Sequence, residues 1–400
     1  MSSFYWAVNE KEQNQTYKLK KDDYYSKDYL LDDVKFILEE SNKKQKIKLE
    51  KNKEIIVKDL ASPTTIENYF TCPYKAFLSN GLKVKERDKG EIDAPKIGTL
   101  IHEIFASYAK EILSVYNKES SDQLFEKIKT EVLKDEQFSR FLLEKETQYS
   151  IENALSACKK LCYNLYQQLS VSEFKPEASN IEVHFGDDKG YAYPAVSLLG
   201  GKVKLSGVID RVDTYEDYCR VIDYKTGKID PSDASLFVGI KLQLYLYSSS
   251  VRKIKKMAGA YYVKVADEFV KPEDLQKTLM QGKTLGEDRL VLAQDNTLLE
   301  KNSSDFIGVA KNKDGSYRKG TTVNAEEFNA YIDYAVKVSE KAVAQMTDGV
   351  IVASPYKGTC EYCDYASVCK KNSVSERTVN KVNTNIIVES VGGENTEDGN

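Results

Sequence analysis

The chain has 400 residues, 41% hydrophobic and 30% charged, with 58 basic against 62 acidic residues and a net charge of −4. This is globular composition with material for more than one core, and no early apolar run reads as a signal peptide or membrane span. The expected compartment is the cytoplasm, where seven cysteines, an odd number, are metal ligands or buried thiols rather than disulfides. Net charge does not announce nucleic-acid binding, although a local basic groove is compatible with an acidic remainder.

Residues 1–60, rich in Lys, Asp, Glu and Asn and including the amphipathic "YLLDDVKFILEE", read as the linking remnant of a larger subunit. A helix is predicted after Ser62-Pro63, which are good helix starters, running through "TIENYFTCPYKAFLSNGL". A second follows as "TLIHEIFASYAKEILSVY", and residues 121–170 carry further amphipathic helices. Strand patterns come next at "IEVHFG", "AYPAVSLL", "VKLSGVIDRVDTY", "CRVIDYKTG" and "GAYYVKV", with the helical "LFVGIKLQLYLYSSSVRKIKK" between the last two. A long helix, "NAEEFNAYIDYAVKVSEKAVAQMTDG", precedes a cysteine cluster. Residues 373–400, ending "ESVGGENTEDGN", are expected to form a disordered acidic tail.

The chemistry begins at "VIDYKTGK", residues 221–228. Two residues apart on a strand, Asp223 and Lys225 project from one face, which alone suits an ordinary solvated ion pair. Upstream, "GVIDRVD" places Asp210 on a neighbouring antiparallel strand, and one hairpin through "TYEDY" brings the two carboxylates to one end of a sheet. Carboxylates that close repel unless a cation lies between them, and hard oxygen donors suit Mg²⁺ or Mn²⁺. His102 in "GTLIHEIF", Glu182 in "IEVHFG", and the helix pair Gln243 and Tyr247 in "QLYLY" each fit an ordinary structural role by themselves. By alternation, Glu182 is expected on the face opposite Ile181 and Val183.

The order His, Asp, Asp-x-Lys, Gln-x-x-x-Tyr resembles the RecB-type branch of the PD-(D/E)XK nucleases. The resemblance implies an α/β restriction-endonuclease-like core, a central mixed sheet flanked by helices with a helical insertion, over residues 61–372. It implies that His102, Asp210, Asp223 and the carbonyl of Tyr224 hold a divalent metal. By the same likeness Lys225 positions the hydrolytic water, Gln243 and Tyr247 are auxiliary, and Glu182 is a further candidate.

"GTCEYCDYASVC" sets Cys360, Cys363 and Cys369 in a C-x2-C-x5-C pattern, with Cys72 in "NYFTCPYKAFL" as the obvious fourth donor. Four cysteines suit structural zinc or an iron–sulfur centre. One cysteine before the nuclease core and three after it is similar to the iron–sulfur nucleases, which implies a [4Fe-4S] cluster stapling the two ends of the domain. Cys158, Cys162 and Cys219 read as core residues. The wording around these motifs resembles the AddB family of helicase–nuclease subunits. This implies a Mg²⁺-dependent DNA exonuclease acting on the 5′-ended single strand in double-strand-break processing and repair, with DNA ends as substrate, an AddA-like partner and no membrane. A non-cleaving DNA-binding or assembly module, and a stand-alone exonuclease of the CRISPR-adaptation type, are the alternatives. "GKT" at Gly282–Thr284 lacks the first glycine of a P-loop, so no ATPase is expected. Arg252, Lys253, Lys255 and Lys256 are candidates to line the DNA path.

Overall fold

A computed structural model describes residues 56–85, 94–139, 145–186, 191–227, 229–265, 280–369, 376–379 and 381–392. The amphipathic stretch at 29–40, and all but the last five positions of the expected 1–60 remnant, lie outside the described residues.

After the short strand β1 (Leu60–Ala61), α1 (Pro63–Thr71) begins where the Ser62 hydroxyl accepts the N–H of Thr65 at 3.2 Å and proline fills the first helical position. The continuous helix expected here breaks at Cys72, which is extended (φ −164°, ψ 118°). Pro73 has no N–H, and its ring disfavours helical geometry at the residue before it. Cys72 therefore forms a corner between α1 and the turn Pro73–Ala76, which continues as a π-helical turn, Phe77–Gly81. Three long helices follow: α2 (Ala94–Val115), α3 (Ser121–Val132) and α4 (Lys145–Val171).

The main sheet has six strands in the order β2-β5-β6-β7-β8-β9, and a smaller one has the order β1-β4-β3. In chain order these are β2 (Lys175–Phe185), β3 (Val196–Leu198), β4 (Val203–Leu205), β5 (Gly207–Tyr215), β6 (Tyr218–Lys225), β7 (Lys256–Lys264), β8 (Gln281–Leu285) and β9 (Thr322–Val323). The predicted strand over 203–215 is thus two strands in different sheets. Ser206 is the crossing point: its N–H goes to Ala61 of β1, whereas Gly207 pairs with Phe185 of β2. β5 and β6 form the expected antiparallel hairpin, and β6 runs parallel to β7, making the sheet mixed. The connection between β6 and β7 holds a short helix, Asp233–Phe237, and α5 (Gln243–Val251). The single helix expected there is interrupted at Gly239, whose φ of +82° suits glycine and where a Cβ would stand 2.4 Å from the Phe70 ring.

Helices cover both faces, so the sheet separates two cores. On one side α2, α3 and α4 bring Ile104, Phe125 and Leu161 against Ile222 and Tyr261. On the other, α1, α5 and α6 (Ala325–Thr347) bring Ile66, Leu246 and Ala335 against Val212 and Val221. Cys158, Cys162 and Cys219 are buried within these cores. "GKT" lies inside β8, paired across to β7, rather than in a strand-to-helix loop. The tail expected to be disordered from residue 373 instead carries α7 (Thr384–Gly392), whose Ile387 is fully buried and whose Thr384 hydroxyl lies 2.9 Å from that of Tyr331. The apolar run Ile386–Val388 supplies a packing face that average composition conceals. Among the described residues, no helix is long and apolar enough to cross a membrane.

Candidate active site

The hairpin register decides the site. Arg211 pairs with Ile222, so Asp210 and Asp223 stand opposite one another where the β5–β6 ladder ends. β2 adds the next strand, with Ile181 against Arg211 and Val183 against Ile209, which sets Glu182 beside Asp210. Glu182 has φ +51°, an uncommon conformation for a non-glycine residue. The regular alternation expected around it is lost: Ile181 and Val183 pack into opposite cores. A left-handed residue interrupts the pleat, and no side-chain pattern in the sequence reports it.

α2 packs on β2 and supplies His102, whose Nδ1 lies 3.6 Å from Glu182 Oε1 and 3.9 Å from Asp210 Oδ2. One ligand atom from each of His102, Glu182 and Asp210 falls within 4.8 Å of the others. Glu182, only a further candidate by the resemblance, is therefore in the trio, while Asp223 is directed at Lys225, with Oδ2 2.6 Å from Nζ. Asp223 is completely buried, and a desolvated carboxylate is normally compensated by a cation, here the Lys225 ammonium. The imidazole and carboxylate donors gathered beside this pair fit a hard divalent ion.

Burial disfavours ionisation of Asp210, the neighbouring Asp223 adds repulsion, and its pKa is pushed up to about 8. Burial likewise raises Asp223, with Lys225 opposing the shift. At His102, burial works against the imidazolium, but Glu182, Asp210 and Asp223 outweigh it and hold the pKa above the ordinary histidine value.

Surrounding groups hold this geometry. The N–H of Tyr224 donates to Asp210 Oδ2 at 2.7 Å. Arg211 Nη1 donates to the Tyr224 phenol at 2.9 Å, and that ring packs on Phe105 with centroids 4.4 Å apart. Lys225 Nζ donates to Gln243 Oε1 at 2.7 Å, and Gln243 Nε2 donates to the Tyr247 hydroxyl at 2.6 Å. Glu67 of α1, which no motif singled out, accepts the backbone N–H groups of Leu242 and Gln243 at 2.6 and 2.8 Å.

The four basic candidates are elsewhere. Lys256 pairs with Tyr218 at the start of β6, whereas Asp223 pairs with Tyr262, six residues along β7. At about 3.3 Å per residue this is roughly 20 Å from the carboxylates. Arg252 pairs with Asp333, and Lys253 and Lys255 bond the carbonyls of Ala195 and Glu216. A parallel crossover returns the chain to the far end of the sheet before the next strand begins, which carries this cluster away from the site.

Cys72, Cys360, Cys363 and Cys369 line one cavity of about 130 Å³. The corner at Cys72 directs the first toward the loop that bears the others. That loop is fastened by the Tyr356 N–H to Thr71 O at 2.8 Å, and Arg377 ties the adjoining segment to Ser354 O at 3.0 Å and to Phe70 O. Four thiol donors around a shared space fit a tetrahedral or cubane metal centre.

Residues 60–370 match the model of the PD-(D/E)XK nuclease superfamily. The chain belongs to that superfamily. Members use divalent metals, and the mixed sheet here presents Asp210, Asp223 and Lys225 at one end. The chain is also similar to a subunit of the ATP-dependent helicase/deoxyribonuclease of Clostridioides difficile strain 630, 28% identical over 91% of this chain and 35% of that protein. It is 29% identical to the like-named protein from Clostridium tetani over 77% of this chain and 30% of that protein. For the like-named protein of Alkaliphilus metalliredigens the identity is 26%, over 78% and 30%. The chain thus spans about a third of the length of these relatives.

Proposed function

We propose that this chain cleaves DNA phosphodiester bonds, as the metal-dependent nuclease portion of an AddB-like helicase–nuclease subunit. The observation that carries the reading is the convergence of His102, Glu182 and Asp210 beside a buried Asp223 that is ion-paired to Lys225. His102, Glu182, Asp210 and Asp223, with the Tyr224 carbonyl, are the residues to hold Mg²⁺ or Mn²⁺. A bound divalent ion supplies Lewis-acid stabilisation at the phosphate and a more acidic water. Lys225, gripped by Gln243 and Asp223, orients that water and offsets charge developing on the phosphate. Tyr247 fixes the amide of Gln243 by accepting a hydrogen bond from its Nε2.

Cys72, Cys360, Cys363 and Cys369 are assigned to a structural [4Fe-4S] cluster that joins α1 to the chain's far end, a closure of the kind that most restricts an unfolded chain. The 5′-ended strand as substrate, a role in break processing and an AddA-like partner are carried over from the family resemblance, and the relatives' names support only a helicase-associated deoxyribonuclease. The direct test mixes purified chain, Mg²⁺ and end-labelled single-stranded DNA. Degradation abolished in both Asp223→Asn and Lys225→Met is expected, and equal degradation by all three proteins would remove the nuclease reading. Binding of DNA without cleavage by the wild type would instead favour an assembly module. Iron analysis and visible absorption of the same sample distinguish the cluster from zinc.

A further inference from the structure

Glu67 sits on α1, five residues before Cys72 and 175 residues before Leu242. α5 starts without a side-chain cap of its own: Leu242 at its N-terminus offers none. The first N–H groups of a helix have no intrahelical partner. Here two consecutive ones, those of Leu242 and Gln243, converge on the single oxygen Glu67 Oε1 at 2.6 and 2.8 Å. A carboxylate at a helix N-terminus is favoured by both the bonds and the helix dipole, and this one arrives from a distant element rather than the adjoining loop.

What this cap holds is the first residue of α5, whose side-chain amide is bonded through both its oxygen and its nitrogen. The Gln243 oxygen accepts from Lys225 and its nitrogen donates to Tyr247. A path of hydrogen bonds therefore runs from Glu67 through the Gln243 backbone and amide to the Lys225 ammonium, which stands 2.6 Å from Asp223. α1 is itself anchored: the Tyr69 hydroxyl donates to Val350 O at 2.9 Å, and Arg377 binds the carbonyl of Phe70. An anchored helix can impose position on α5 where a mobile loop cannot.

We propose that Glu67 is a positioning residue for Lys225, acting through the first turn of α5. The proposal rests on the nuclease reading for its consequence, though not for its geometry. Without the carboxylate the first turn of α5 opens, Gln243 shifts, and the ammonium loses its aim. Displacements near 1 Å cost about 100-fold in rate.

The experiment uses the full chain as Glu67→Ala and Glu67→Gln. It measures kcat and KM on labelled single-stranded DNA with Mg²⁺, together with amide hydrogen exchange over residues 240–247. Glu67→Ala is expected to lower kcat about 100-fold with KM within about twofold, and to speed exchange in the first turn of α5, at Leu242, Gln243 and Leu246. Glu67→Gln, whose carbonyl oxygen accepts the same two bonds, is expected to restore slow exchange and most of kcat. An alanine variant with unchanged kcat or unchanged local exchange overturns the proposal, as does a glutamine variant no better than alanine. If the wild type does not cut DNA, the nuclease reading fails and the exchange comparison alone decides Glu67. Should the alanine variant not fold, Glu67→Asp, one methylene short of the two amides, replaces it and is held to the same outcomes.

Discussion

Asp210→Asn separates the cost of the site from its use. The folded protein holds the Asp210 carboxyl at about 8, against 3.8 for an ordinary aspartate. The unfolded chain therefore gives up this proton at lower pH than the folded chain does. The Asp210 contribution to the stability of metal-free wild type should be lost as pH rises from about 4 to about 8. At 1.36 kcal/mol per unit, the penalty reaches about 4 kcal/mol at pH 7. Asparagine has no proton to lose, and its Oδ1 still accepts the Tyr224 N–H that Asp210 accepts at 2.7 Å. Its new amide hydrogens need partners beside His102 and Glu182, so about half of the ceiling, ~2 kcal/mol, is the expected gain at pH 7. Thermal unfolding in EDTA at pH 5, 6, 7 and 8 reads this as a midpoint raised by a few degrees at neutral pH, with the difference shrinking toward pH 4. DNA cleavage should fall by about 10³-fold as a metal donor disappears. A variant no more stable than wild type at pH 8, or an advantage that does not grow with pH, would refute the electrostatic account.

Lys225→Met should reduce single-turnover cleavage by about 10²- to 10⁴-fold while leaving filter-bound DNA nearly unchanged, because the ammonium acts on the water more than on binding. Asp213→Ala should destabilise by about 3–5 kcal/mol in denaturant titrations, since buried Arg211 and Arg220 both lose their carboxylate partner. Gly239→Ala should cost about 3 kcal/mol, from positive φ and from contact with Phe70, and should slow cleavage by displacing α5. Cys72→Ser should abolish the bound metal seen by elemental analysis, whereas Cys158→Ser should keep it, because Cys158 is packed between α2 and α4.

Much of the site could be read along the chain because its parts are local. Asp223 and Lys225 share a face by the two-residue period of a strand, Gln243 and Tyr247 by the turn of a helix, and Asp210 meets Asp223 through one short hairpin. The break at Cys72 is also locally encoded, by Pro73, although the start signal at Ser62-Pro63 predicts one helix running through it. The tertiary structure decided the rest. Glu182 joins the trio through the pairing of β2 with β5 and a left-handed backbone that alternation does not foresee. The cations at 252–256 fall at the wrong end of the sheet because β6 and β7 are parallel, and Glu67 finds α5 across 175 residues. Periodicity reports which way a side chain faces over a few residues; which strands become neighbours is set by the summed burial of two cores, a quantity no short stretch contains.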